Sequence, residues 1–467
     1  MNPTNTNLQN AIPTVAGVTA RPEDSVLRPS PSRSLGRVMA ASLSTGAATA
    51  AVMAFGVLPG APEATVVGAA LISFALGWAM FAWLTIRTAH PQQWADVPAA
   101  TMAVAGAGLI TFQPGEPAMS QLAWLWAPGL VALGAHVAWR TRQQVPGRRA
   151  LLVYPAAIAM VLAGAGGLYQ AATPAPQVAA GPMPGRLVDV GGYRLHLSCT
   201  GEGSPTVVLL NGLGETSPQW ALVNPVIART VRVCVYDRAG QGWSDDSPNP
   251  ADATSAANDL HKVLAAAGER GPFVLAGHSS GGVHALTFAA RYPHEVAGVV
   301  LLDSASPHQV ELVKPFAGEY EVMRRALAVV PTLYRFGIGH LIGAIGATPE
   351  PGTPEAQAAA FANSPRGMRG MRAEQAALPS SFTQAQATTS LGNTPLVVLT
   401  AKENVDQRPG WDAAQDELAQ LSTNTRHTVA DLSHTAFLDD AAGAALSVEA
   451  ITDAIASIRT HTPLRHR

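Results

Sequence analysis

The sequence predicts two architectures in one chain: an α-helical membrane domain of about five spans over 38–169, then an α/β domain over 186–467 with a mostly parallel sheet. Three observations predict this. Charged residues make up 13% of the 467 residues, about half the usual share, and the deficit falls before residue 170. Beyond residue 186, short β-branched apolar runs alternate with helical periodicity. Within that alternation, Gly277-His278-Ser279-Ser280-Gly281 separates a strand-like run from a helix-like one, the setting in which G-x-S-x-G presents a serine. A chain of this length calls for two or more domains.

Residues 1–37 are polar and rich in Pro, Ser, Thr and Asn, and read as a disordered cytoplasmic tail. Uncharged stretches follow at 38–61, 64–86, 97–112, 119–139 and 150–169. A spanning helix needs about 20 mostly apolar residues, and 64–86 fits best. Pro128 and Pro155 fall inside the last two stretches, which membrane helices tolerate. Trp94, Trp124, Trp126 and Trp139 lie near stretch ends, as an aromatic belt places them. Basic loops alternate with loops free of Lys and Arg. The leading tail holds Arg21, Arg28, Arg33 and Arg37, the second loop Arg87, and the fourth Arg140, Arg142, Arg148 and Arg149. The positive-inside rule then puts the N-terminus in the cytoplasm and the chain after residue 170 outside. The first apolar stretch begins too late for a cleaved signal peptide. Residues 170–185, rich in Pro, Ala and Gly, read as a linker.

Strands are expected at 194–199, 206–210, 231–236, 273–276, 296–302, 395–400 and 426–430, and helices at 255–267, 412–421 and 444–459. Continuous apolar runs of this kind belong to a sheet covered on both faces. At the serine turn, a side chain at 277 or 281 would collide with the neighbouring strand or helix. The helix that follows aims amide dipoles at the place where negative charge develops.

The motifs along 186–460 resemble those of the α/β-hydrolase family, and most closely its bacterial serine hydrolases with amino-terminal membrane spans. Asn211-Gly212-Leu213-Gly214 stands where the family places its oxyanion loop, with Asn-Gly in place of the usual His-Gly. Asp237-Arg238-Ala239-Gly240-Gln241-Gly242-Trp243-Ser244 matches the family's D-R-x-G-x-G-x-S turn, which reads as structural. Ser279 is at the elbow, and Ser433-His434 follows the last strand. The resemblance implies a Ser, acid, His order, with Ser279 as nucleophile, His434 as base, and the backbone N–H groups of Leu213 and Ser280 as oxyanion hole. The acid stays open between Asp303, favoured because it ends the 296–302 run, and Asp406 or Glu403 after the next strand. The family's usual acid position there falls on Asn404. His278 reads as a turn residue without a part in proton transfer.

Residues 305–392 interrupt the alternation, with helical stretches at 310–330 and 354–362. In the resembling fold such an insertion caps the site, and its apolar centre reads equally as an acyl pocket or as packing. The family's strand order makes the runs bearing Cys199 and Cys234 neighbours, so the two form a disulfide or remain buried thiols. No metal or cofactor is implied. The expected partners are a small hydrophobic ester and the lipid bilayer. Nucleic acid is disfavoured by a net charge of −2 with no basic cluster in the C-terminal part. Rival readings are an aminopeptidase or amidase using Glu311, Glu319 or Glu321, an acyltransferase, and a non-catalytic membrane sensor. Epoxide hydrolases and dehalogenases of the family use a carboxylate where Ser279 stands.

Overall fold

The computed structural model describes residues 35–86, 88–345 and 349–464. Most of the leading polar segment lies outside them, as do Arg21, Arg28, Arg33 and Arg87 of the charge pattern. The first helix already begins at Leu35, inside the segment expected to be disordered.

Five helices form an apolar bundle: α1 (Leu35–Ala51, continued by a π-helical turn at Val52–Val57), α2 (Glu63–Thr85), α3 (Asp96–Phe112), α4 (Glu116–Gln144) and α5 (Tyr154–Ala172). Each is long and apolar enough to cross a membrane, counting the short turns that extend α1, α3 and α5. They pack in consecutive pairs through glycine. A Cβ on Gly46 would lie 3.0 Å from the Gly77 Cα, and one on Gly68, Gly134 or Gly164 would press on a carbonyl of the neighbouring helix. Close backbone approach of this kind is how apolar helices associate where their surroundings are themselves apolar. Large apolar side chains such as Trp83, Val104, Leu125 and Leu162 point outward and are more than half exposed. A sixth helix of sufficient length and apolarity, at Ala441–Thr460, belongs instead to the second domain.

That domain is built on eight strands: β1 (Arg186–Asp189), β2 (Arg194–Thr200), β3 (Thr206–Leu210), β4 (Val233–Tyr236), β5 (Phe273–His278), β6 (Val296–Leu302), β7 (Leu396–Ala401) and β8 (Thr425–Ala430). Their order is β1-β2-β4-β3-β5-β6-β7-β8. β1 and β2 are antiparallel additions to a parallel sheet. The four-residue β1 is too short to show a period in sequence. Alternate residues serve opposite faces. Val207, Leu209, Val274 and Val300 pack on one face with Ile451 and Ile455 of the last helix, α14 (Ala441–Thr460). Val208, Leu210 and Leu275 pack on the other, with Leu260 and Phe288. Both faces are dry, which is why the strands read as unbroken apolar runs. The remaining helices flanking the sheet are α6 (Ala253–Ala267), α7 (Ser280–Arg291) and α13 (Trp411–Ala419).

The cap between β6 and β7 holds α8 (Phe316–Leu327), α9 (Val330–Arg335), α10 (Ile338–Ile345), α11 (Pro354–Ala362) and α12 (Pro365–Ala385). The continuous helix expected at 310–330 is broken, with Pro315 and Pro331 at the starts of α8 and α9, where proline's fixed φ suits a first turn but not an interior. Thr353 and Ser364 cap α11 and α12 by accepting from Ala356 N–H and Gly367 N–H. α9 ties the cap to the bundle. Buried Arg335 donates to Glu63 at 2.9 and 3.0 Å and to Glu116 at 3.1 and 2.6 Å.

Cys199 and Cys234 are register partners on β2 and β4 and are joined in a disulfide. Of the two sequence readings, the bonded one holds. The bridge spans 35 residues, so reducing it is expected to lower stability by about 3–4 kcal/mol. The thermal midpoint of the solubilised chain, measured with and without reductant, checks this; an unchanged midpoint contradicts it.

Candidate active site

β5 ends in a reversal that leads directly into α7. Ser279 occupies it at φ 54° and ψ −124°, a conformation that costs a non-glycine residue of order 1–3 kcal/mol. The surroundings hold it there. Ser279 N–H donates to Leu302 O at 3.1 Å, and Ser279 O accepts from Ala305 N–H at 3.0 Å. A Cβ on Gly277 would strike the Gly281 backbone, and one on Gly281 would strike the Leu210 carbonyl. The elbow therefore requires glycine at both positions.

Asp303 follows β6 and is fully buried. Its Oδ1 accepts from Ala401 N–H and Trp411 Nε1–H, each at 2.9 Å. Its Oδ2 accepts from Asn404 Nδ2–H and His434 Nδ1–H, each at 2.5 Å. Four donors on one carboxylate satisfy it and fix its position. A hydrogen on Nδ1 leaves His434 Nε2 as the acceptor. No hydrogen bond joins Ser279 Oγ to His434 Nε2 among the described residues; such bonds are commonly long before substrate binds. The other acid candidates do not reach the imidazole. Asp406 pairs with Lys402 at the surface, at 2.6 Å. Glu403 accepts from the His434 backbone N–H at 3.0 Å. Asn404, standing where the usual acid falls, orients Asp303 instead.

The Asn211-Gly212-Leu213-Gly214 loop faces the elbow. Asn211 is buried, donating to Tyr236 O and accepting from Trp220 Nε1–H, both at 2.8 Å. This explains how asparagine serves in a position where histidine is usual. Arg238 donates to the Asn211 and Gly212 carbonyls and pairs with Glu374 of α12. Asp237 accepts from Ser217 N–H at 2.7 Å and Trp243 N–H at 3.2 Å. The D-R turn thus braces loops, as its sequence suggested. Gly212 N–H and Gly214 N–H are engaged by Glu215 and Glu374. The amides of Leu213 and Ser280 are bonded to no acceptor among the described residues, which leaves them available to an oxyanion.

Sequence reasoning missed one pair. His278 Nδ1 lies 2.7 Å from Glu215 Oε1, and its Nε2 donates to His434 O at 3.0 Å. The rings of His278 and His434 are 4.7 Å apart. Burial pushes the His278 pKa down, but Glu215's charge and hydrogen bond overcome it and hold it above the usual 6.5. Burial likewise pushes Glu215 up, and His278 with the Gly212 amide holds it below 4.5. The pair, whose members are 63 residues apart in sequence, joins the oxyanion loop to the His434 loop.

Among metal-type ligand groups, Cys199, Cys234 and Glu269 lie together, but both sulfurs are spent in the disulfide. Glu319 is paired with Arg408 and Glu321 with Arg324, while Glu311 is exposed. Two cavities beside α12, of about 280 and 480 Å³, are lined by residues such as Arg238, Asp246, Arg369 and Arg372 and include neither Ser279 nor His434.

The family model for the alpha/beta hydrolase fold matches residues 205–335, the segment that contains the oxyanion loop, the elbow and Asp303. The chain carries an α/β-hydrolase domain. Uncharacterised proteins of Schizosaccharomyces pombe and Bacillus subtilis are similar to it, at 31% identity over 56% of this chain and 29% over 27%. A provisionally named carbamate hydrolase, RutD, of Cronobacter turicensis is 33% identical over 22% of this chain. The alignments span 54%, 39% and 38% of these relatives' own lengths. Among solved structures, a provisionally assigned lipase from Acinetobacter baumannii AYE aligns over 62% of this chain and 95% of its own, at 19% identity and a TM-score of 0.48.

In the hydrolase domain the His278–Glu215 pair is expected to be fully stabilising between about pH 4.5 and 6.5. It weakens as pH falls through Glu215's lowered pKa or rises through His278's raised one. Glu215→Gln should lower the His278 pKa, because its nearest countercharge is gone while burial remains. NMR titration of the imidazole reads this out, and an unchanged pKa contradicts it.

Proposed function

We propose that this chain is a membrane-anchored serine hydrolase that cleaves carboxylic esters. The observation that carries the reading is His434 Nδ1 at 2.5 Å from a fully buried Asp303, on loops joined through His278 and Ser304 to the strained Ser279. Ser279 Oγ attacks the ester carbonyl carbon while His434 Nε2 takes the hydroxyl proton. The negative oxygen is held by Leu213 N–H and Ser280 N–H. The carbon–oxygen bond then breaks, and the alcohol leaves with the proton from His434. Water, deprotonated by the same nitrogen, attacks the acyl-enzyme and frees the acid and Ser279. Asp303 keeps Nδ1 protonated and stabilises the imidazolium. The aminopeptidase reading loses support, because Glu319 and Glu321 are already paired with arginines.

The bundle serves as the anchor, with the N-terminus cytoplasmic and the hydrolase domain outside. Arg149 lies against Gly36 at one end of the bundle, beside Arg37, while Glu63, Glu116 and the cap occupy the other. A positive end opposite the hydrolase domain fits the positive-inside rule, and the disulfide fits an oxidising compartment.

A fluorophosphonate probe should label the wild type and not Ser279→Ala. Asp303→Asn should lower kcat by about 10⁴ by permitting the wrong tautomer, while Asp406→Asn, an exposed pair, should change it by less than about twofold. Equal losses for the two would overturn the assignment of the acid. Protease added to sealed right-side-out vesicles should remove the hydrolase domain; protection would reverse the topology.

A further inference from the structure

The cap reaches deeper into the bundle than a soluble cap needs to. Phe336, at the turn between α9 and α10, packs edge-on against Trp126 with ring centroids 5.6 Å apart. Trp126 lies ten residues beyond Glu116 in α4, about 15 Å along the axis, within a segment free of charged residues from 117 to 139. On the facing helix, a Cβ at Gly166 would fall onto the Phe336 carbonyl. Gly166 is six residues before the end of α5, about 9 Å inside it. Gly337, at φ 83°, makes the turn beside it. The cap's turn is therefore wedged between α4 and α5 below their ends.

What emerges from the wedge is α10, Ile338–Ile345, which has no charged residue. His340 packs edge-on against Tyr169 of α5 at 5.1 Å, holding α10 against that helix. Leu341, Ile342 and Ile345 are 61%, 48% and 87% exposed. In water this cluster would be a costly apolar patch. Beside a helix whose Leu162 is 66% exposed and awaits acyl chains, it is a continuation of the same lipid-facing surface.

The cap also puts this surface close to the chemistry. Along α12, Met371 and Glu374 meet Gly214 of the oxyanion loop. Arg372, on the same helix, donates to the Pro59 and Ala61 carbonyls in the α1–α2 connection. One helix, about 10–12 Å across, separates the oxyanion loop from the bundle's end.

We propose that the Phe336–Gly337 turn and α10 are set into the bilayer leaflet next to the hydrolase domain, and that Ser279 draws its ester from that leaflet. The substrate class is then an acyl-chain amphiphile resident in the bilayer. The substrate half of this inference rests on the serine-hydrolase reading above; the seating of the cap does not.

Two measurements on the full chain in phosphatidylcholine vesicles test it. The native cysteines are joined, so a thiol-reactive bimane labels only an introduced cysteine. Bimane at Ile345→Cys should be quenched by brominated acyl chains, and bimane at Thr389→Cys, exposed before β7, should not. Equal quenching at the two sites overturns the placement. Replacing Leu341, Ile342 and Ile345 with Gln should slow hydrolysis of vesicle-borne dioleoylglycerol by about tenfold while leaving p-nitrophenyl butyrate within about twofold. Equal slowing of both substrates, or of neither, overturns the substrate inference. If the Ile345→Cys label is quenched but Ser279 takes no fluorophosphonate, the hydrolase reading falls and the seat of the cap stands.

Discussion

A buried carboxylate without partners is among the costliest groups a fold can contain, and Asp303 is tolerated because four donors converge on it. Those donors come from the end of β7, the segment after it, α13 and the last loop. The carboxylate therefore fixes how β6, β7 and β8 end relative to one another, and so where His434 can stand. Buried Trp411 also depends on this acid, which accepts its indole N–H. The placement of His434 and the packing of one end of the sheet are a single arrangement.

The elbow and the histidine were legible because their meaning is local. Ser279 needs glycine on both sides and a helix behind it, and His434 needs a short loop after a strand; a sequence displays both. The acid was legible only as a choice. Asp303, Glu403 and Asp406 all lie in plausible loops, and what selects among them is which oxygen meets Nδ1. The role of Asn404, a donor to the acid from the place where the acid itself is expected, becomes visible only with β6 and β7 side by side. The same holds for Glu215 and His278, whose partnership depends on two loops meeting across the sheet end.

Helices were legible in proportion to how much of their stability is written in their own residues. α2 carries no charge after Glu63 and is unmistakable. α12 contains Gly367, Gly370 and Pro379 and has poor intrinsic propensity. It persists because Ser364 caps it and because Glu374, Arg372 and Ser381 bond to three other parts of the chain. Sequence periodicity cannot report contacts of that kind, and no helix was expected there.

Arg335 meets Glu63 and Glu116 at a point where three elements converge with almost no access to water. Separating either carboxylate from the guanidinium strands an ion in a poorly solvating place, at a cost of about 3–5 kcal/mol. Parting the cap from the bundle at this corner is therefore disfavoured. The cap and the helical bundle are thus latched to one another at Arg335, and that latch is electrostatic in origin.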